Sequence, residues 1–402
     1  MTSSSTLGTP GQMPRPRSAL VGRERELAQG EDLLRRADVG LMTLTGAGGS
    51  GKTRLGLAIA ARQQEYFADG VVWVPLALVS AADQVLPAIA RASGIREIPG
   101  EDLHATLSRV LSDRASLLVL DNFEHVVAAG PLVSDLLLAC PSLKALVTSR
   151  AALRVSGEYE LPVLPLAVPP PATGLQSVSE LASVPTIQLW CQRVTAIDPS
   201  WNLTPENANT VAEICRRVDG LPLAIELAAA RMRILSPAVL LNRLSHRLNV
   251  LTEGPRDLPA RQQTLRAAIN WSYELLQPVE QRVFRRMSVF HGGFSLDAVR
   301  AVGDVDHDLG EAVEGVLSAL IDHHLVLRYD AVDGQPRMGM LETIREFALE
   351  RLAASGALEM IQKTLHDPHV ARNREVEFSS SSCPIKTAPD LCHPAAWRSL
   401  PS

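Results

Sequence analysis

The chain has 402 residues, of which 46% are hydrophobic and 21% charged, and this length predicts about two to four domains. The net charge of −5 argues against a surface that coats nucleic acid. No apolar run approaches the ~20 residues of a membrane span, so we expect no membrane partner. The five cysteines include no C-x-x-C pair, and their odd number fits reduced thiols and a cytoplasmic location.

The first residues predict a disordered leader over 1–17, because they are rich in Ser, Thr, Gly and Pro and lack the hydrophobic segment of a secretory signal. Residues 20–26 then lead into an amphipathic helix that ends near Arg36. A segment of this kind before a phosphate-binding loop often folds over the base of a nucleotide. A solvated helix start with alternating charges is an equally good interpretation of the residues alone.

Residues 39–53 predict an apolar strand, a glycine-rich loop and the start of a helix, with the spacing G-x-x-x-x-G-K-[ST]. Glycines let successive backbone N–H groups surround a phosphate, and the helix adds the positive end of its dipole. Lys52, one of only four lysines, would reach the β- and γ-phosphates, and Thr53 would bind Mg²⁺. The residues expected to bind nucleotide here are Gly46, Gly48, Gly49, Ser50, Gly51, Lys52, Thr53 and Arg54.

Two further apolar runs, residues 71–76 and 116–121, alternate with helical segments and predict a parallel sheet buried on both faces. The second run ends in Asp121, at the edge where such sheets bind ligands. We therefore expect Asp121 to bind Mg²⁺ together with Thr53, whereas a helix or turn cap is the alternative. A strand between the glycine loop and the acid strand favours the ATPases with an inserted strand over P-loop kinases.

Residues 145–149 predict another strand, which ends in Arg150. Arg150 could contact a γ-phosphate from the sheet edge or could be a solvated strand end, and the residues alone do not decide between the two. A last short strand at 159–165 completes the predicted nucleotide-binding domain, which spans 18–168.

The remaining chain predicts two smaller domains. Residues 169–184 are rich in Pro, Ser and Gly and predict a linker. Residues 185–255 predict a helical domain, in which the G-L-P-L junction at 220–223 separates two helices. Residues 256–356 predict helices followed by a hairpin with Asp333-Gly334 in its turn, which together describe a winged helix. The predicted fold class is α/β, a P-loop NTPase parallel sheet with an inserted strand followed by these two domains.

The last segment, residues 357–402, predicts a disordered tail, because prolines recur and no helical period persists. A few residues in it are of metal-ligating type, but their irregular spacing does not predict a zinc site. They are His366, His369, Cys383, Cys392 and His393. The adjacent His323 and His324, further upstream, have no other ligand-type residues at suitable spacing and are interpreted as structural.

In series these motifs resemble the nucleotide-binding core of STAND-class signal-transduction ATPases, which are related to the NB-ARC domain. Within that class they are similar to the bacterial regulators described as LuxR-type or transcriptional-activator proteins. The resemblance covers residues 20–356 and rests on the segments 21–24, 46–53, 117–125, 147–150, 220–227 and 340–348. It implies ATP/ADP and Mg²⁺ as cofactors, with Val21 and Arg23 beside the adenine, Arg150 as the first sensor and Pro222 closed over the base.

The segment 340–348 resembles the Met-His-Asp motif by which plant and animal relatives hold ADP, with Leu341 in place of its His and Glu342 in place of its Asp. Asn122 follows Asp121 where many fast ATPases carry an acid that orients water, and Asn cannot accept a proton. Glu124 is the candidate substitute. The predicted catalytic residues are therefore Lys52, Asp121, Glu124 and Arg150, and we expect slow turnover, which suits a switch.

These observations predict a regulatory core that binds ATP and ADP with Mg²⁺, with possible slow hydrolysis, and that uses protein partners or self-association in its ATP state. The alternative is a transcription factor that binds DNA directly through the winged helix. The predicted wing carries only Arg328 and Arg337, whereas phosphate contacts need clustered Arg and Lys, so we do not expect direct DNA binding. A metabolic ATPase would need a second set of catalytic residues, and none is visible.

Overall fold

The computed structural model describes residues 11, 13–14, 18–98, 100–171, 177–244, 247–251, 263–291, 293–330 and 336–365. Within this part of the chain, no helix combines the length and the apolar character that crossing a bilayer requires.

A five-stranded sheet forms the first part of the molecule. Its strands are β1 (Leu41–Thr45), β2 (Val71–Pro75), β3 (Leu117–Asp121), β4 (Lys144–Thr148) and β5 (Glu158–Pro162). They pair in the order β2-β3-β4-β1-β5, and every pair is parallel. The predicted parallel sheet with an inserted strand is confirmed. In the sheet, β4 lies between β1 and β3. The strand that comes between them along the chain, β2, lies instead at the edge of the sheet.

Helices cover both faces of this sheet. They are α1 (Glu24–Arg35), α2 (Lys52–Arg62), α3 (Val85–Ala92), α4 (Leu103–Leu111) and α5 (Gly130–Ala139). Alternate residues of β3 enter two different cores, Leu118 and Leu120 on one face and Leu117 and Val119 on the other. Because successive side chains of a strand point to opposite faces, a strand covered on both sides must be apolar throughout.

A helical layer and a winged helix follow. The helices before the winged helix are α6 (Val178–Ala182), α7 (Pro185–Thr195), α8 (Pro205–Arg217), α9 (Pro222–Ala230), α10 (Pro237–Arg243) and α11 (Arg247–Val250). Helix α12 (Leu265–Glu274) precedes the winged helix, which consists of α13 (Pro278–Met287), β6 (Gly293–Phe294), α14 (Leu296–Gly303), α15 (Ala312–Asp322), β7 (Leu327–Asp330), β8 (Pro336–Gly339) and α16 (Glu342–Ala354). Its strands form an antiparallel sheet in the order β6-β8-β7. Trp190, Ile225, Phe284 and Phe347 belong to one hydrophobic core, which both layers share.

Three segments differ from the sequence-based expectations. Helix α17 (Leu358–Leu365) lies in the predicted tail, and its Ile361 is buried in the shared core. Helix α6 lies in the predicted linker, where Ser177 and Glu180 form a reciprocal capping box. In the predicted leader, Gly11 pairs with Trp73 through a hydrogen bond of 3.2 Å from the Trp73 N–H. The rest of the leader apart from residues 13–14, the Asp333-Gly334 turn and the five tail residues of metal-ligating type lie outside the described residues.

Candidate nucleotide-binding site

The glycine loop joins β1 to α2 with a backbone that only glycine adopts easily. Gly49 and Gly51 have φ angles of 83° and 96°, and Gly51 precedes the first residue of α2. A Cβ atom at Gly49 would lie 2.8 Å from the Cβ of Leu223, so a side chain there would collide with α9. The loop therefore presents backbone N–H groups and the start of a helix at the carboxyl end of β1, which is the geometry of an anion site.

Lys52 lies over this loop. Its Nζ donates hydrogen bonds to the carbonyl oxygens of Gly46 at 2.7 Å and Ala47 at 3.0 Å. Burial lowers the pKa of the Lys52 ammonium to about 8, and the nearby carboxylates of Glu124 and Asp121 only partly offset this effect. The negative charge of a phosphate bound in the loop would stabilise the charged form of Lys52 and so raise its pKa.

Asp121 ends β3 and meets two hydroxyl groups. Its Oδ1 accepts hydrogen bonds from Thr53 Oγ1 at 2.7 Å and from Thr148 Oγ1 at 2.6 Å. Burial nevertheless raises the pKa of this carboxyl above its ordinary value. The hydroxyl of Thr53 and the carboxylate of Asp121 are the hard oxygen donors that Mg²⁺ prefers, so the residues present fit this ion.

Glu124 lies beside Asp121, in the turn that follows β3, and is only 8% exposed. Its Oε1 accepts hydrogen bonds from Asn122 Nδ2 at 3.3 Å and from Arg150 Nε at 3.4 Å. Asn122 has a φ of 66°, a left-handed conformation that Asn tolerates better than most residues. A second carboxylate is therefore present beside the predicted Mg²⁺ ligand, although the residue directly after Asp121 is an amide.

Arg150 is 4% exposed, so the alternative of a solvated strand end is wrong. Its Nη1 donates to the carbonyl oxygen of Ala268 at 2.8 Å and also to Ser272 Oγ, both in α12. A Cβ atom at Gly48 would lie 3.0 Å from the same Nη1. Arg150 thus lies between the glycine loop, Glu124 and α12, the helix before the winged helix.

On the other side of the loop, Arg23 is 4% exposed, whereas Glu24 and Arg25, the first residues of α1, are solvated. The Nη2 of Arg23 donates to the carbonyl oxygens of Ser50 at 3.1 Å and Leu164 at 2.6 Å. Val21, two residues earlier, packs against the shared core. The segment before α1 is therefore fastened to the glycine loop.

Pro222 lies at the loop as well. The Leu223 N–H donates to the carbonyl oxygen of Gly49 at 3.2 Å, and Pro222 Cγ lies 3.9 Å from the Cβ position of Gly51. The structure thus brings the start of α9 and the glycine loop together, as the resemblance implies.

Arg54, one of the predicted nucleotide-binding residues, makes hydrogen bonds to residues outside the glycine loop. Its Nη1 pairs with Glu226 at 3.2 Å, and its Nη2 donates to Ser18 Oγ at 2.7 Å and to the carbonyl oxygens of Ser18 and Ala19. Arg193 pairs with the same carboxylate at 2.8 Å. The sequence-based expectations gave Glu226 no role. The signal that could have identified it is that Glu226 is the single charged residue among the nine residues of α9.

The segment 340–348 turns its first residues inward. Leu341 is buried in the shared core, and Glu342 pairs with Arg345 at 2.5 Å. The Thr343 N–H donates to Asp219 Oδ2 at 2.8 Å, so Asp219, directly before the G-L-P-L junction, caps α16. Burial raises the pKa of Asp219 to about 6. Sequence reasoning missed this contact between the helical layer and the winged helix.

His324 has a φ of 52° and lies close enough to Lys52 for the positive charge of that side chain to affect the pKa of the imidazole. Burial, with contributions from Lys52 and His323, lowers the pKa of His324 to about 3. The imidazole is therefore neutral at physiological pH.

Comparisons with known proteins agree with this geometry. An AAA domain matches residues 35–161, and a winged helix-turn-helix domain matches residues 276–353. Among solved structures, a Walker-type ATPase of Pyrococcus abyssi has a TM-score of 0.53 and 13% identity, over 82% of this chain and 96% of that one, which shows a shared fold. The fold and the site thus define a P-loop ATPase domain followed by a winged helix-turn-helix domain.

Sequence relatives place the chain more closely. It is 36% identical to Uncharacterized protein Rv0894 of Mycobacterium tuberculosis, over 86% of this chain and 84% of that protein, and it belongs to the same family. It is 40% identical, over 80% of its length, to Rv0890c of the same organism, a provisionally named HTH-type transcriptional regulator. Regulatory protein AfsR of Streptomyces griseus is 29% identical over 79% of the chain. The chain spans only 34% and 31% of the lengths of these two regulators.

Proposed function

We propose that this chain is the nucleotide-switch core of a transcriptional regulator, of the STAND type related to NB-ARC and LuxR-type regulators. It binds ATP or ADP with Mg²⁺ and hydrolyses ATP slowly. The observation that carries the proposal is the position of Arg150, which lies at the glycine loop and is also hydrogen-bonded to α12, the helix directly before the winged helix. Nucleotide chemistry and the arrangement of the winged helix therefore meet at one side chain.

The residues have separate roles in this proposal. Lys52 and the loop N–H groups bind the phosphates, and Thr53 and Asp121 hold Mg²⁺, which neutralises phosphate charge. Glu124 orients the attacking water, but its Oε1 already accepts from Asn122 and Arg150. A carboxylate engaged in this way is a weaker base, because hydrogen bonds stabilise its charged form. Slow turnover follows, and it leaves time for two nucleotide states with different populations of the docked winged helix.

The adenine side consists of Val21, Arg23 and Pro222. The hydrogen bonds from Arg23 to the carbonyl oxygen of Ser50 and from the Leu223 N–H to the carbonyl oxygen of Gly49 support this assignment for Arg23 and Pro222. A regulator of this type would signal to protein partners, or to further copies of itself, when ATP releases the winged helix. The similarity to proteins named as regulators supports a role in transcription.

The test is the amount of nucleotide retained on the purified protein, together with ATP turnover, for wild type and Lys52→Ala. Lys144→Ala is the matched control, since Lys144 donates to the carbonyl oxygens of Leu34 and Arg36, away from the loop. We expect Lys52→Ala to lose nucleotide and Lys144→Ala to retain it. A wild-type protein that binds neither ATP nor ADP at any concentration would exclude the proposal.

The second candidate is direct DNA binding, which the match to a winged helix-turn-helix domain favours. Helix α15 precedes the wing, where such a domain carries its recognition helix. Its sequence AVEGVLSALID contains Glu314 and Asp322 and no Lys or Arg, and Asp322 pairs with Arg154 of the ATPase domain. Binding to duplex DNA that weakens steeply with added salt would favour this candidate. We expect no such binding by this chain.

A further inference from the structure

We propose that Glu226 is a positioning residue for the base side of the nucleotide site, acting through Arg54 and Arg193. Its carboxylate holds α9, and with it Pro222, against the helix that follows the glycine loop. This inference rests on the proposed function, because it concerns how the same site is shaped.

The contacts of Glu226 join three separate elements. Its Oε1 accepts hydrogen bonds from Arg54 Nη1 at 3.2 Å, from Arg193 Nε at 3.0 Å and from Arg193 Nη2 at 2.8 Å. Arg54 belongs to α2, Arg193 to α7 and Glu226 to α9. The side chain of Glu226 is 21% exposed, so these ion pairs are partly shielded from water and are stronger than pairs on an open surface.

The helical register connects this cluster to Pro222. Pro222 and Glu226 are four residues apart and therefore lie on the same face of α9. That face touches the glycine loop at its first turn, where Pro222 Cγ lies 3.9 Å from the Cβ position of Gly51. One turn later, Glu226 attaches α9 to Arg54 of α2, the helix that follows the glycine loop. Two attachments along one helix face define its angle as well as its position, so Glu226 sets how Pro222 stands over the loop.

The same cluster also holds the chain segment on the opposite side of the predicted base site. Ser18 Oγ accepts hydrogen bonds from Arg54 Nη2 at 2.7 Å and from Arg193 Nη2 at 3.1 Å. The carbonyl oxygen of Ala19 accepts from Arg54 Nη2 at 3.1 Å. These residues come directly before Val21 and Arg23, so both sides of the base site are fastened to one pair of guanidinium groups.

The charge balance of the cluster makes Glu226 decisive. Two guanidinium groups share one carboxylate, and each stays charged at any physiological pH. Replacing the carboxylate by an amide leaves two like charges side by side, which then repel each other. The arginines would separate, and α9 and the segment at Ser18 would both lose their attachment. The glycine loop itself contains no member of the cluster and would keep its phosphate-binding backbone.

The experiment distinguishes contacts with the base of the nucleotide from contacts with its phosphates. Dissociation constants for ATP, ADP and inorganic tripolyphosphate are measured for wild type, Glu226→Gln and Glu213→Gln. Glu213 is the matched control, because it also pairs with two arginines, Arg216 and Arg217, but all three lie within α8. We expect Glu226→Gln to bind ATP and ADP about tenfold more weakly while it keeps its tripolyphosphate affinity, and Glu213→Gln to match wild type.

Arg193→Gln is the second variant, since it retains the pair between Arg54 and Glu226 and disturbs the fold less. We expect a smaller loss, about threefold, again confined to ligands that carry a base. Wild-type affinity for ATP in Glu226→Gln, or an equal loss of ATP and tripolyphosphate, would overturn the inference while the proposed function stands. A wild-type protein that binds neither ATP nor tripolyphosphate would overturn both.

Discussion

The Nη1 of Arg150 donates a hydrogen bond to the carbonyl oxygen of Ala268 at 2.8 Å, which joins the end of β4 to α12, the helix directly before the winged helix. Ser272 Oγ accepts from the same nitrogen. A γ-phosphate contacted by Arg150 would have to compete with both acceptors or share the guanidinium with them. Binding of the third phosphate and docking of α12 are therefore coupled through one group, and the coupling must act in both directions.

Ser272→Ala removes one of the two acceptors that α12 offers to Arg150. We expect ATP to bind about fivefold more tightly relative to ADP, because less interaction is lost when Arg150 turns to a γ-phosphate. The measurement is the ratio of the dissociation constants for ADP and ATP. Ser355→Ala is the control, since Ser355 Oγ donates only to the carbonyl oxygen of Leu352 at the end of α16. An unchanged ratio in Ser272→Ala would show that α12 and the third phosphate do not compete.

Glu124→Gln tests the candidate water-orienting group. The amide keeps the size of the side chain but cannot act as a base, so we expect ATP turnover to fall by about 100-fold. The dissociation constant for ATP should change far less than the turnover, because Lys52 and the loop N–H groups, rather than Glu124, bind the phosphates in the proposal. Single-turnover hydrolysis beside equilibrium binding separates the two effects. Glu101→Gln, an exposed acid paired with Arg109, is the control. Equal turnover in Glu124→Gln and wild type would remove Glu124 from the mechanism.

Nucleotide binding should be accompanied by proton uptake in mildly alkaline solution. The pKa of Lys52 is about 8 in the structure, so part of the population is neutral at pH 8.5. Phosphates beside the ammonium raise this pKa, and we expect an uptake of about 0.7 proton per ADP bound. Calorimetric titration in two buffers of different ionisation enthalpy, with EDTA present to exclude Mg²⁺, measures the uptake. Identical binding enthalpies in the two buffers would contradict this prediction.

The raised pKa of Asp219 predicts that the free energy of unfolding depends on pH. This pKa is raised from 3.8 to about 6, chiefly by burial, although the Thr343 N–H and Arg247 act in the opposite direction. Because the folded-state pKa lies above the unfolded value, its contribution to the free energy of unfolding is complete below about pH 3.8 and is lost as the pH rises through 6. Asp219→Asn removes this dependence, since the amide stays neutral. Relative to wild type, we expect the variant to gain about 1 kcal/mol between pH 5 and pH 7.5.

Chemical denaturation at the two pH values measures this difference. Asp198→Asn is the control that should show no change between the two pH values, because hydrogen bonds from Ser200 lower the pKa of the exposed Asp198 carboxyl, which is therefore ionised at both. A difference between wild type and Asp219→Asn that does not vary with pH would show that the Asp219 carboxyl does not titrate in this range.

The strands, the glycine loop and the winged helix could all be predicted from local patterns. Leu117 to Leu120 are apolar in succession because helices cover both faces of β3, and Gly49 and Gly51 are glycines because the loop needs positive φ angles. These requirements act within a few residues and therefore leave a direct record in the sequence. Helix α17 was missed although Leu358, Ile361 and Leu365 recur at helical spacing, and only the fold showed that Ile361 packs in the shared core.

Contacts across the chain excluded one of the interpretations that the residues left open. Arg150 is not a solvated strand end, because α12, more than a hundred residues later, covers it, and its role as a phosphate sensor stays a prediction. In the same way, β4 rather than β2 separates β1 from β3, which depends on how distant strands pair.

The sequence by itself determined a P-loop ATPase sheet, a phosphate-binding loop and a winged helix, because backbone geometry and burial select residue types locally. The tertiary structure alone decided which charges meet: Arg54 with Glu226, Arg150 with Glu124 and α12, and Asp219 with the start of α16. Charged side chains can pair with any opposite charge that the fold brings near, so their partners are not encoded in spacing. The phosphate site could be read from local residues, whereas its links to the helical layer and the winged helix required the fold.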